Sequence, residues 1–280
     1  MSTAHVTTRS TWQQFWDRGG FWRAALACVG YLALYLGAGL LIGSLLGDQV
    51  DADDLFSSVP SVLVALTLPL LVGAVVLSAF VRSLGWFREL FARQALPGRG
   101  WMWVAPVVVG AAVLLRFAGI DYGDYRLGVV VLTVLTGLLI GFVEEVLTRG
   151  VAVRMLRGAG HSERVVMVLS SLLFAVLHSA NALSGQAIGV VLLTMVFTFG
   201  FGVCMYLTMR VTRSLWSAVL LHGLYDPTLF LSAGGIDQTA TGGDVNVALT
   251  LAAPANILCI LIAVAALFLV RGRARDRAAA

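Results

Sequence analysis

The sequence predicts an all-α polytopic membrane protein of about eight transmembrane helices, on three observations. First, 59% of its 280 residues are hydrophobic and only 12% are charged, against about 45–50% and about 25% in an average soluble domain. Second, the mean hydropathy is +0.90. Third, apolar stretches recur along the chain at the roughly 20-residue length that crosses a bilayer core. A soluble enzyme would need far more polar surface. A disordered chain, a coiled coil and a small disulfide scaffold are excluded on the same grounds.

Residues 1–20 are polar and carry Arg9 and Arg18. The apolar stretch from Phe21 to Gly47 is longer than a signal-peptide core and lacks a cleavage site, so it reads as span 1. Further spans are expected at 58–81, 101–120, 128–147, 165–181, 187–209, 214–233 and 247–270. No internal repeat or low-complexity linker divides them, so residues 1–280 read as one membrane domain.

The loops alternate in charge. Arg9, Arg18 and Arg23 precede span 1, and Asp48, Asp51, Asp53 and Asp54 follow it. Arg82, Arg88, Arg93 and Arg99 fill the next loop, and Asp121 and Asp124 the one after. Then come Arg149, Arg154, Arg157 and Arg164, an uncharged loop near Ser184, and Arg210 with Arg213. Asp237 and Asp244 occupy the last loop, and Arg271, Arg273, Arg275 and Arg277 the tail. All arginines but Arg116 and Arg126 therefore share one side, which the positive-inside rule makes cytoplasmic. Eight spans with both termini cytoplasmic is the simple topology that fits. In the loop 82–100, Trp86, Phe87, Leu90 and Phe91 interleave with arginines, as in a short interfacial helix or an aromatic-anchored connector.

The net charge of +4 does not signal nucleic-acid binding. All nineteen basic residues are arginine, and with heavy Ala, Gly and Val usage this reads as GC-rich codon bias, pointing to a bacterial cytoplasmic membrane. Cys28, Cys204 and Cys259 are widely spaced in apolar stretches, which supports neither a disulfide framework nor a thiolate zinc site.

Few ionisable groups remain at the depth of the spans: Glu144, Glu145 and Arg149 near the end of span 4, His178 in span 5, and His222 and Asp226 in span 7. Arg116 lies near the outer end of span 3, where it is expected to snorkel. A charge at bilayer depth costs at least about 2.5–3.5 kcal/mol, so such groups usually face a wet cavity and act there. Glu145 and Arg149 stand at i,i+4 in the favourable order, which leaves Glu144, about 100° round the helix, free to face water or substrate. His222 and Asp226 share one helix face, where a carboxylate can orient an imidazole. A structural ion-pair cluster and a structural His–Asp bond are the bland alternatives. With the turn between spans 4 and 5 near Gly158–His161, Glu144 and His178 fall nearly level in an antiparallel hairpin. His222, roughly 13 Å above Arg213, joins them only if spans 4 and 5 project beyond the membrane face.

Glu144-Glu145-x-x-x-Arg149, Phe174-x-x-x-His178 and His222-x-x-x-Asp226, with the lead-in Ser214-Leu215-Trp216, resemble the three motifs of the CAAX protease and bacteriocin-processing family. These are intramembrane proteases related to the type II prenyl-protein endopeptidase. The resemblance covers residues 128–230 and implies a helical bundle around a cavity open to the cytosol. It implies that Glu144 activates water for attack on a peptide carbonyl. It implies also that His178 and His222 either bind a metal, together with Glu144, or position the water and stabilise the oxyanion. Two histidines and a carboxylate suit zinc, and the family has been described both as metallo- and as glutamic proteases. Two departures stand out: Asp226 where the family often has Asn, so that this residue is protonated, binds metal or orients His222, and Thr148 in place of an aromatic residue, expected to alter packing more than chemistry.

The leading expectation is an endopeptidase acting on a membrane-associated peptide or protein. The alternatives are an ion-coupled transporter and a non-catalytic membrane scaffold or bacteriocin self-immunity protein. The transporter reading lacks the inverted repeat and paired broken helices that many transporters carry.

Overall fold

The computed structural model describes residues 9–234 and 246–274; Asp237, Asp244, Arg275 and Arg277, used above for topology, lie outside them. No β-strand occurs among the described residues. A short helix α1 (Thr11–Asp17) is followed by α2 (Phe21–Gln49), α3 (Val59–Ser83), the five-residue α4 (Phe87–Phe91), α5 (Gly100–Gly119), α6 (Leu127–Gly158), α7 (Glu163–Ser184), α8 (Ile188–Thr212), α9 (Leu215–Ala233) and α10 (Val247–Leu269). All but α1, α4 and α9 are long and apolar enough to cross a membrane. The chain is an all-α polytopic membrane protein.

The exception among the expected spans is α9. It forms over the expected residues, yet His222, Tyr225, Asp226 and Pro227 interrupt its apolar run. It packs against α6 and α5, and His222 and Tyr225 are among its buried residues. The α6–α9 contact is close because two glycines on α6 leave room for it. A Cβ at Gly137 would lie 2.1 Å from Pro227 Cγ, and one at Gly141 would lie 2.4 Å from the Val219 carbonyl oxygen and 2.5 Å from the Gly223 nitrogen. Small residues four apart on one face are the usual means by which membrane helices bring their backbones together. This approach sets the distance between the acidic motif on α6 and the histidine on α9.

Helix α6 has 32 residues, about 48 Å at 1.5 Å per residue against a hydrocarbon core of about 30 Å. The helix is long enough for its arginine-bearing end to extend beyond that core. Between Val146 and Ala152 it widens into π-helical turns, a local underwinding often found at functional sites. At this end the arginines are paired. Arg157 and Arg210 both bond the buried Glu163 carboxylate, at 2.8 and 2.7 Å, and Arg154 reaches Glu89 at 2.8 Å and Asp17 at 3.3 Å. The aromatic loop belongs to this end. Trp86 and Leu90 are buried, Trp86 donates to Asp17 at 3.0 Å, and Arg154 lies 3.7 Å from its ring centroid. Phe87 alone of the four named residues stays exposed, so the loop packs into the bundle more than it lies on a surface.

Candidate active site

The motif residues converge on one large cavity of about 1010 Å³, bordered by α2, α3 and α5 to α10. On its floor the two neighbouring glutamates point apart. The side chains of Glu145 and Arg149 are wholly excluded from solvent, with Arg149 Nη1 3.2 Å from Glu145 Oε1. The same oxygen accepts from His222 Nδ1 at 2.8 Å. Glu144 instead lines the cavity with its side chain 26% exposed. One carboxylate therefore holds the scaffold and the other faces the open space.

Arg149 is fixed on two further sides. Its guanidinium lies 4.4 Å from the centroid of the Phe174 ring, a cation–π contact of greatest worth when desolvated. Nη1 also donates to the Thr148 hydroxyl, which in turn donates to the Glu144 carbonyl oxygen at 2.6 Å. Thr148 thus does more than alter packing: a hydroxyl small enough to fit bonds the motif arginine to the backbone of Glu144. An aromatic ring at this position would lack this bonding unless it carried a hydroxyl of its own.

His222 presents its second nitrogen to the cavity side. Nε2 lies 3.7 Å from Glu144 Oε2 and 3.4 Å from Asp226 Oδ2. Of the three roles open to Asp226, this geometry favours orienting His222. The imidazole is wedged edge-on between Phe174 and Phe201, with ring centroids 5.7 and 4.9 Å away. His178 sits where α7 tightens from α-helical to 3-10 turns. Its Nδ1 meets the Phe174 carbonyl oxygen at 3.0 Å and its ring stands edge-on to Phe174 at 4.9 Å. Because a carbonyl only accepts, that bond puts a proton on Nδ1 and leaves Nε2 for the cavity.

The structure thus gathers Glu144, Glu145, Arg149, His222 and Asp226 in one cluster, with each carboxylate within 4 Å of a His222 ring nitrogen. It places His178 on the wall of the same cavity, through the shared Phe174. Among the described residues no three His, Cys, Asp or Glu side chains converge as a metal-holding group. His222 bonds Glu145 through Nδ1 and His178 bonds a backbone carbonyl through Nδ1, which leaves each Nε2 turned to the cavity, the same division of nitrogens that a metal-binding histidine uses.

One cavity residue was placed differently by sequence. Arg116 does not snorkel; it is only 5% exposed, lines the cavity and lies 4.6 Å from the Tyr225 ring centroid. The mouth of the cavity is apolar. Leu40 on α2, Leu183 on α7 and Leu193 on α8 border it while facing outward with more than half their surface exposed.

Residues 126–228 match the family model described as type II CAAX prenyl endopeptidase Rce1-like. The match is consistent with the CAAX protease and bacteriocin-processing resemblance, and all seven residues of the three motifs fall inside it. Comparison with curated proteins and with solved structures gave no match. The match supports a function of the CAAX-type intramembrane protease kind, and with it a lipid bilayer and a membrane-associated peptide substrate.

Proposed function

We propose that the chain is an endopeptidase that hydrolyses a membrane-associated peptide or protein with Glu144 as general base. The observation that carries this reading is the division between the two adjacent glutamates: Glu145 is sealed between Arg149 and His222, while Glu144 borders the cavity. Glu144 takes a proton from water, and the water oxygen forms a bond to the substrate carbonyl carbon as the C=O electron pair moves to oxygen. Glu144 then passes that proton to the leaving nitrogen as the C–N bond breaks, which regenerates the carboxylate.

The remaining residues position and polarise. Glu145 fixes a proton on His222 Nδ1 and so aims Nε2 at the space between Glu144 and Asp226, where the attacking water is held. His178, held by the bond from its Nδ1 to the Phe174 carbonyl oxygen, turns Nε2 to the substrate where the oxyanion develops. No step runs through a metal. One tightly bound zinc per chain, lost in His222→Ala, would replace this scheme with the metal-assisted one. The apolar mouth lets a substrate enter from the bilayer. The arginine-rich end is placed on the cytoplasmic side, with both termini there, in a bacterial cytoplasmic membrane.

The test is cleavage of N-terminally acylated peptides by purified protein in liposomes. General-base catalysis contributes about 10²–10⁴-fold, so Glu144→Gln should lower the rate by about that factor with the fold intact. A variant that cleaves like the parent overturns the assignment. Accumulation of solute in vesicles that collapses with an ion gradient would favour transport instead.

A further inference from the structure

Arg116 is a buried cation for which the proposed chemistry has no use. It sits in the last turn of α5, 5% exposed, and Nη1 has no hydrogen-bond partner. Among the described residues no carboxylate lies within ion-pair distance of it. Its guanidinium packs over the face of the Tyr225 ring, 4.6 Å from the centroid. That ring is held in place: the Tyr225 hydroxyl donates to Asn256 Oδ1 at 2.6 Å, and Phe201 packs against it with centroids 4.6 Å apart. A guanidinium that lines a large cavity, rests on a fixed aromatic face and keeps a buried donor without a partner is an uncompensated charge beside open space. An unpaired buried charge costs several kcal/mol, and a carboxylate offers the bidentate geometry that offsets it.

We propose that Arg116 binds a carboxylate of the substrate and so sets its position relative to Glu144. Tyr225 is three residues from His222 on α9, so the guanidinium stacked on it lies near the catalytic cluster in the same cavity. The peptide spans the two: the carboxylate rests on Arg116, and the scissile carbonyl lies at Glu144. This rests on the endopeptidase reading for what occupies the cavity. The carboxylate is the chain end of the peptide or an acidic side chain.

The experiment measures binding separately from cleavage. Three N-palmitoylated, fluorescently labelled hexapeptides of Ala, Leu and Ser are used: one with a free C-terminal carboxylate, one with a C-terminal amide, and one amide with a single internal Glu. Affinity is measured in liposomes for Glu144→Gln, and for Glu144→Gln combined with Arg116→Gln or Arg116→Lys. Cleavage is measured with Arg116→Gln alone. A bond to a charged partner is worth about 1.5–3 kcal/mol, roughly tenfold to a hundredfold in affinity.

The free-acid peptide should bind that much more tightly than its amide. Arg116→Gln should erase the difference, and Arg116→Lys should retain part of it. In cleavage the loss should appear in KM more than in kcat. Rescue of the amide by internal Glu, dependent on Arg116, identifies a side-chain carboxylate; no rescue identifies the chain end. Equal binding of acid and amide, or a preference that survives Arg116→Gln, overturns the proposal. Arg116-dependent binding without cleavage of any peptide would keep the carboxylate site and reject the endopeptidase reading. Matched helical circular dichroism and unfolding midpoints for Arg116→Gln and Arg116→Lys show that a loss is not a loss of fold.

Discussion

Replacing Arg149 by methionine removes the positive member of a fully buried pair while keeping most of its volume. The carboxylate it leaves, Glu145, has no exposed side-chain surface, so water cannot take over the lost contact. Breaking a buried pair by removing one partner costs about 3–5 kcal/mol. Glu145 retains His222 Nδ1 at 2.8 Å, which holds the loss near the lower end, about 3 kcal/mol. The cation–π contact with Phe174 is part of the same figure and is not added to it. Against a typical total stability of about 5–15 kcal/mol, this is a large fraction.

The assay is unfolding in mixed micelles titrated with sodium dodecyl sulfate, followed by helical circular dichroism, for the parent, Arg149→Met, Glu145→Gln and the double variant. The two single changes should each be strongly destabilising. The double variant should lose less than their sum, because it leaves no uncompensated charge and still offers His222 an amide oxygen. Arg149→Met within about 1 kcal/mol of the parent would refute the reasoning. It would mean that Glu145 needs no cation, and that the division of labour between the two glutamates rests on something other than this pair.

Two further changes probe how the cluster is held. Gly141→Leu drives a side chain into the α9 backbone, where the Cβ alone would lie 2.4 Å from the Val219 oxygen. Overpacking of this kind costs about 1–3 kcal/mol or more. By pushing His222 off Glu145 it should abolish cleavage, whereas Leu at Gly189, whose Cβ meets nothing within 4 Å, should leave both stability and cleavage unchanged. Thr148→Val keeps the shape and removes the hydroxyl between Arg149 and the Glu144 carbonyl; a loss of about 1–2 kcal/mol is expected from the arginine's lost acceptor, with Thr148→Ser close to the parent in the same unfolding assay.

The sequence pattern and the structure agree where a single rule decides. Apolar length alone marks the long helices, and i,i+4 spacing alone pairs Glu145 with Arg149 and brings Asp226 to His222. They diverge where two rules compete. Helix α9 forms as expected yet is not among the helices apolar enough to span, because the residues that make it a candidate site are the ones that lower its hydropathy. Its placement depends on partners, above all on Gly137 and Gly141, a small-residue pair present in the sequence and readable as a packing face. The bond from Glu145 to His222 joins residues 77 positions apart, and nothing local encodes it.

Arg116 shows the same competition at the level of one side chain. Nearness to a helix end favours snorkelling only if the path to water is open. Here the end of α5 packs against α9 and α10, and the Tyr225 ring supplies a surface the guanidinium can rest on. Depth along a helix is legible from sequence, but direction around it is set by what the neighbouring helices present. The cost of a buried arginine is then a statement about those neighbours, and the large cavity beside it supplies the space for a partner of opposite charge.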